Sequence, residues 1–404
     1  MLLRYASLTL TLLLSLPAHA ADWPQFLGPT RDGRSTETVS PWTGELKPLW
    51  SKPIGPAHSS PVVVNGVVYG FYETKGKNTD TLAGFDAKTG NKLWEQSYER
   101  EDFRPLFGYG PRGTPVVDGG SVFTLGGTGV LARWDAKTGD VKWKVDTLEQ
   151  FKVENLAFGV SASPLVFDGN VYVNVGGKGA GLVAFNCDTG KVAWQATDDG
   201  MSYSSPTLVG KGEAAKVVFL TKQNLIAVDP KTGTVAWKVP FQDRMSESAT
   251  APLAVGTNVI GSSVTLGSIA IDPSVSPPKT IWRKKELNCY FSTPVVVGDD
   301  LYMLNGELSI TPTISLRCVD GKTGKIRWQK SDVGKYHAAI IRTANDKLLM
   351  LDDGGSLTLF EPNETEFKQL AKSKVCGPTW AHPALADGVV YIRDEKNLLA
   401  IKLN

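Results

Sequence analysis

The chain has 404 residues, 42% hydrophobic and 21% charged, with 43 Lys and Arg against 41 Asp and Glu. That apolar share excludes wholesale disorder, and a net charge of +2 gives no electrostatic footing for nucleic acid or an anionic membrane surface. Length alone predicts two or three domains, the 41 Gly predict many turns, and the 11 Trp call for a structural explanation.

The first twenty residues read as an export signal. Arg4 supplies a short basic region, Tyr5 to Leu16 an apolar run ended by Pro17, and Ala18-His19-Ala20 a small-x-small cleavage site. The run is shorter than the ~20 apolar residues of a spanning helix, and no later stretch resembles a span. The expectation is an exported protein, periplasmic or extracellular, that begins at Ala21 and carries no lipid anchor, since no Cys lies near the cleavage site. Export permits disulfides among Cys187, Cys289, Cys318 and Cys376. Lone thiols are the default, and Cys289 with Cys376 is the best-placed pair. Metal-finger spacing is absent.

Residues 21–45 form a leader, and a repeat of about 46 residues follows. One marker is a small or hydroxyl residue before Pro: Ser60-Pro61, Thr114-Pro115, Ser163-Pro164, Ser205-Pro206, Ala251-Pro252, Thr293-Pro294 and His382-Pro383. His337-Ala338-Ala339 fills the remaining place without its Pro, making eight units. A second marker is Thr-Gly with Trp four residues later: Gly90 with Trp94, Gly139 with Trp143, Gly190 with Trp194, Gly233 with Trp237, and Gly324 with Trp328. The fifth unit keeps Trp282 without the Thr-Gly, and the seventh keeps neither.

Each unit reads as four short strands. In the first they are Val62 to Val64, Val67 to Tyr72, Thr81 to Phe85 and Lys92 to Gln96. Asn65-Gly66 is a tight-hairpin signal, and Asp86-Ala87-Lys88-Thr89-Gly90 suits an Asp-anchored turn. Four-stranded units of this length predict an all-β, eight-bladed β-propeller of antiparallel blades over residues 46–404. The last unit has room for only three strands, and Lys47-Pro48-Leu49-Trp50-Ser51-Lys52 resembles a fourth strand. The N-terminal strand is therefore expected to close the ring, which removes an exposed sheet edge.

The Asp-x-x-Thr-Gly-x-x-x-Trp signature resembles the pyrroloquinoline quinone (PQQ) repeat family, and the resemblance covers nearly all of the chain from Leu46. Asp22-Trp23-Pro24-Gln25-Phe26-Leu27-Gly28-Pro29, with Arg31-Asp32-Gly33, is similar to the leader of many exported bacterial propellers. The resemblance implies that Trp50, Trp94, Trp143, Trp194, Trp237, Trp282 and Trp328 dock between neighbouring blades. It also implies one of two kinds of work. One branch holds quinoprotein alcohol and sugar dehydrogenases, which use PQQ with Ca²⁺. The other holds non-catalytic BamB-like propellers that bind proteins. The chain is only as long as a bare propeller, lacks the adjacent Cys-Cys pair of many such dehydrogenases, and shows no alignable calcium-ligand set. Glu154-Asn155 and Asp198-Asp199 merely sit in suitable loops.

A site is expected where the loops before the small-Pro marker meet near the axis. They carry His58, Tyr109, Arg112, Phe158, Tyr203, Glu247, Tyr290, Tyr336, His337, Trp380 and His382. This set reads as an aromatic and imidazole-lined funnel for a metal or for a planar or sugar-like ligand. The plainer reading is axial packing, with His capping backbone groups. Gly126-Gly127-Thr128-Gly129 and Gly176-Gly177-Lys178-Gly179 lie in hairpin turns with no helix to receive a phosphate. The expected function is a non-catalytic binding or assembly scaffold, monomeric, with a protein or neutral glycan or small-molecule partner. A small PQQ-dependent dehydrogenase and a polysaccharide- or ligand-binding module are the alternatives.

Overall fold

A computed structural model describes residues 21–403, apart from 106, 244, 246, 307, 308, 310 and 311. The export-signal reading at residues 1–20 falls outside the described residues. Eight four-stranded antiparallel sheets form one ring. Blade 1 consists of Val62–Val64, Val67–Glu73, Thr79–Asp86 and Lys92–Glu99. Blades 2 to 7 repeat this plan over residues 116–146, 165–196, 207–240, 253–284, 295–334 and 338–374. Blade 8 takes Ala384–Ala386, Val389–Arg393 and Asn397–Lys402 from the C-terminus and Pro48–Pro53 from the N-terminus. The chain thus seals its own ring as expected, with Trp50 opposite Ala400.

The turn before each outer strand follows from local chemistry. Asp86 Oδ1 accepts from the backbone N–H of Lys88 and Thr89 and from the Thr89 hydroxyl, and Gly90 N–H returns to the Asp86 carbonyl. Asp135, Asn186, Asp229 and Asp320 repeat the arrangement. Just beyond, the outer strand of every blade skips one residue against its partner. In blade 1 Lys92 faces Phe85 while Trp94 faces Gly84, which leaves Leu93 as the extra residue. Equivalent shifts occur in blades 2 to 8. Such a bulge re-aims the next side chain, and here the Trp turns towards the following blade.

The indoles of Trp50, Trp143, Trp194, Trp282 and Trp328 donate to carbonyls of the next blade's turn: Ala87, Cys187, Pro230, Gly321 and Asn363. Trp94 tilts on Tyr69 and lies against Gly139, and Trp237 packs against the apolar cluster shared by blades 4 and 5. The core accordingly lies between blades. One apolar cluster joins blades 1 and 2, another blades 2 and 3, and so on round the ring, with the largest uniting blades 7, 8 and 1 with Trp23, Val39 and Trp42 of the leader. Trp134, outside the repeat register, is fully buried, stacks on Tyr98 and donates to Thr124 Oγ1 at 2.8 Å.

Two features depart from the sequence reading. A five-residue helix, Thr147–Phe151, capped by Asp146, occupies the connection after blade 2. All four cysteines are free thiols. Cys289 belongs to the cluster between blades 5 and 6 and Cys376 to that of blades 7, 8 and 1, so the pairing of Cys289 with Cys376 is not made. No described helix is long and apolar enough to cross a membrane.

The leader threads the axis. Trp23 pairs with Val63 of blade 1 through both backbone groups, and Pro24 C=O accepts from Val117 of blade 2. Arg31, 4% exposed, donates to the carbonyls of Ser163 (2.8 Å), Pro164 (3.0 Å) and Pro206 (2.7 Å) on blades 3 and 4. Ser35 and Gly33 exchange backbone bonds with Arg342 of blade 7. Residues 23–35 therefore stopper one end of the central channel.

Candidate functional site

With one end of the channel stoppered, its other end becomes a cup of about 350 Å³. This lies at the lower end of the ~300–1,000 Å³ range of small-ligand pockets. Ten of the eleven predicted residues line it: His58, Arg112, Phe158, Tyr203, Glu247, Tyr290, Tyr336, His337, Trp380 and His382. Tyr109 does not; it is 50% exposed and faces outward. The sequence reading missed Phe26, Phe107 and Phe291. Phe107 and Phe291 stand in the same loops as the predicted residues and were legible there. Phe26 comes from the leader, for which no repeat register exists.

The small residue of the Ser-Pro and Thr-Pro marker acquires a physical reason. Ser163 Oγ accepts from Thr114 N–H at 2.9 Å, Ser205 Oγ from Ser163 N–H at 2.8 Å, Thr293 Oγ1 from Ala251 N–H at 3.0 Å, and Ser60 Oγ from His382 N–H at 2.8 Å. Each hydroxyl ties the start of one innermost strand to the next, and Ser60, Thr114, Ser163 and Ser205 line the base of the cup.

Above the base the rings form a collar. Phe107 meets Phe158 at 5.9 Å, Phe158 meets Tyr203 at 5.6 Å, and Tyr290 stacks on Phe291 at 3.8 Å. Trp380 closes the circuit, stacked on Phe291 at 5.8 Å and His58 at 5.3 Å, and touching Phe107 and Tyr336. Between Tyr203 and Tyr290 stands Glu247, whose carboxylate accepts from the Tyr290 hydroxyl. Burial, and then that bond, raise the Tyr290 pKa.

The three histidines are neutral. Burial, then the charge of Arg112, lowers His58 to about 4, and its Nε2 sits 2.8 Å from the Phe107 carbonyl. Burial lowers His337 to about 3 and His382 well below its ordinary value. The His337 tautomer follows from its neighbours. Ser292 Oγ donates to the Ala338 carbonyl, so towards His337 Nδ1, 3.3 Å away, it is the acceptor. The proton is on Nδ1. Nε2 is then a bare acceptor, buried out of reach of the cup's open space with no hydrogen-bond partner.

A three-histidine metal site is not formed. His337 and His382 face each other with ring centres 5.0 Å apart, but His58 turns to Phe107 and Trp380. Among the described residues no three His, Cys, Asp or Glu side chains converge on a metal position. Ca²⁺ takes six to eight oxygen ligands, and the described lining offers one carboxylate, Glu247, already bonded to Tyr290. Asp199 is committed to Thr221 and Asn224, and Asp198 to Gly179 N–H. The described residues do not fit Ca²⁺-bound PQQ.

The sequence profile of a family described as outer membrane protein assembly factor BamB matches residues 78–311 and 312–404. A curated relative of that name from Yersinia pestis is 24% identical over 249 residues, 56% of this chain and 58% of the relative's own length. The structure of BamB from Moraxella catarrhalis is similar with a TM-score of 0.62 and 16% identity, covering 89% of this chain and 98% of that one. The quinohemoprotein alcohol dehydrogenase of Comamonas testosteroni superposes with a TM-score of 0.71 and 13% identity, covering 94% and 80%. At such identities these structures share the fold alone. The repeat register, the eight-bladed ring and the extent of the profile match place the chain in the PQQ-repeat β-propeller family described as outer membrane protein assembly factor BamB.

Proposed function

We propose that this protein is an exported, non-catalytic propeller of the BamB type, a binding scaffold that serves the assembly of outer-membrane proteins and engages its partners through the rim and cup. The observation that carries this reading is the chemistry of the cup: its carboxylate is tied to a tyrosine, its imidazoles are neutral, and its walls are aromatic. Such a lining, with one carboxylate already engaged by Tyr290, is suited to binding. The family match supports the same reading.

The dehydrogenase fold neighbours define the test. Purified protein is incubated with PQQ and Ca²⁺, then assayed for quinone absorbance and for oxidation of alcohols and aldoses with an artificial electron acceptor. The expected result is no turnover. Steady oxidation dependent on both additions would overturn the reading. In its host, loss of the protein is expected to lower the level of folded outer-membrane β-barrels.

A further inference from the structure

We propose that the cup receives the free carboxyl end of a peptide chain whose last side chain is apolar, with the carboxylate on Arg112 and a backbone N–H on Glu247. The proposal rests on the binding-scaffold reading and names the chemistry by which the partner is held.

Shape limits what can enter. Residues 23–35 stopper the channel, so the cup is blind, and its space of about 350 Å³ opens to one side only. A chain cannot thread such a site. It can insert only an end or a single side chain.

The polar groups select the end. The Arg112 guanidinium lines the cup and is half-buried. Burial lowers it to about 10, so it keeps its charge at neutral pH. Its Nη2 lies 3.4 Å from the carbonyls of Phe107 and Gly108, longer than an ordinary N–H···O bond. A carboxylate is a stronger acceptor for a guanidinium than either carbonyl and can take two of its N–H groups at once. The charges that act on His58 are those of Arg112 and Arg393, both cations.

Glu247 requires a donor. Its Oε2 accepts the Tyr290 hydroxyl, and Oε1 has no donor among the described residues. No ion pair joins Arg112 to Glu247, and the Tyr203 hydroxyl feels the charge of both. A bare anion suits Arg112 and is repelled by Glu247, while a bare cation suits Glu247 and is repelled by Arg112. A chain end answers both, because it carries a carboxylate and, on the same residue, a neutral peptide N–H.

The walls accept an apolar side chain beside that anion. Trp380 is stacked on both Phe291 and His58, and Phe291 is stacked on Tyr290 as well. Rings packed in this way cover one another's faces and turn mainly their edges to the cup. Ring edges are apolar and positively polarised, so they pack against a hydrocarbon side chain without repelling a carboxylate. Phe107, 63% exposed, and Met245, 53% exposed, stand on the loops of Arg112 and Glu247 and offer apolar ground to the residues before the chain end.

The test is titration calorimetry of the full protein with acetyl-Gly-Leu-Phe as the free acid, as its C-terminal amide, and as the acid methylated on the last peptide nitrogen. Free phenylalanine and the internal-carboxylate peptide acetyl-Gly-Glu-Gly amide complete the set. The free acid is expected to bind, and the amide and the N-methylated acid to bind at least tenfold more weakly, or about 1.4 kcal/mol. Arg112→Gln is expected to bring the acid down to the level of the amide, with Tm measured alongside. Should that variant not fold, the comparison of acid with amide on the unaltered protein still decides. No binding of the free acid at millimolar concentration, or equal affinity for acid and amide, overturns the proposal. Equal binding of free phenylalanine or of the internal-carboxylate peptide also overturns it, since the chain end is then not what is recognised. Failure of the scaffold reading is a separate result, PQQ-dependent oxidation.

Discussion

Gly233 of blade 4 lies directly against the indole of Trp194 of blade 3: a methyl group added at Gly233 would stand 2.5 Å from Trp194 Cε3. Gly90 under Trp50, Gly190 under Trp143 and Gly324 under Trp282 repeat the contact. The two halves of the sequence signature are thus partners across blades, the glycine of one unit seating the tryptophan of the unit before it.

This relationship predicts different costs for two glycines of like backbone. Gly233 (φ 72°) and Gly66 (φ 73°) are both left-handed, but nothing lies within 4 Å of a methyl at Gly66. Gly66→Ala should cost only the conformational penalty, about 1–2 kcal/mol. Gly233→Ala adds overpacking and should cost about 3 kcal/mol or more. Urea unfolding of both variants checks the order, and equal costs would refute the seating argument.

Arg31 holds the leader in the channel through carbonyls of two blades. Arg31→Met removes those charge-assisted bonds and should destabilise the protein by about 3 kcal/mol. It should also expose residues 21–45 to limited proteolysis. An unchanged cleavage pattern would mean that Trp23 and Trp42 anchor the leader without it.

The buried imidazoles make the fold sensitive to acid. His337 titrates at about 3 in the folded ring against 6.5 in the unfolded chain. Between those values the unfolded state binds a proton that the folded state does not. Stability is therefore fully present above pH 6.5 and falls as pH drops from there towards 3, by at most about 1.4 kcal/mol per unit for this group. Denaturation midpoints at pH 7.5, 6 and 5 should show the decline, and His337→Gln should make it shallower while His58 and His382 keep their shares. An equal slope in that variant would assign the effect elsewhere.

The cysteines predict a chemical result. Burial pushes Cys289, Cys318 and Cys376 up to about 12. Alkylation of denatured, unreduced protein should label all four thiols, and the native protein should react slowly. A mass shift for only two labels would reveal a disulfide.

The sequence alone determined the fold because a propeller writes one packing solution eight times. Asp86, Gly90 and Trp94 act within a single blade and its neighbour, so their spacing survives in the chain and can be counted. Ring closure was legible for the same reason, since Trp50 stands one period before Trp94. The loop class holding His58, His337 and Trp380 could be named from the register. What those residues do to one another could not be read there, because side chains from different blades meet across the axis at angles that no local pattern encodes. Only the tertiary structure turned His58 away from His337 and left Tyr109 outside the cup. It alone committed Ser292 to Ala338 so that His337 keeps a bare acceptor, and it brought Phe26 and Arg31 of a non-repeating leader into the channel as its floor. Repetition records the contacts between adjacent blades. The chemistry of the cup depends on contacts made once, between residues far apart in the chain.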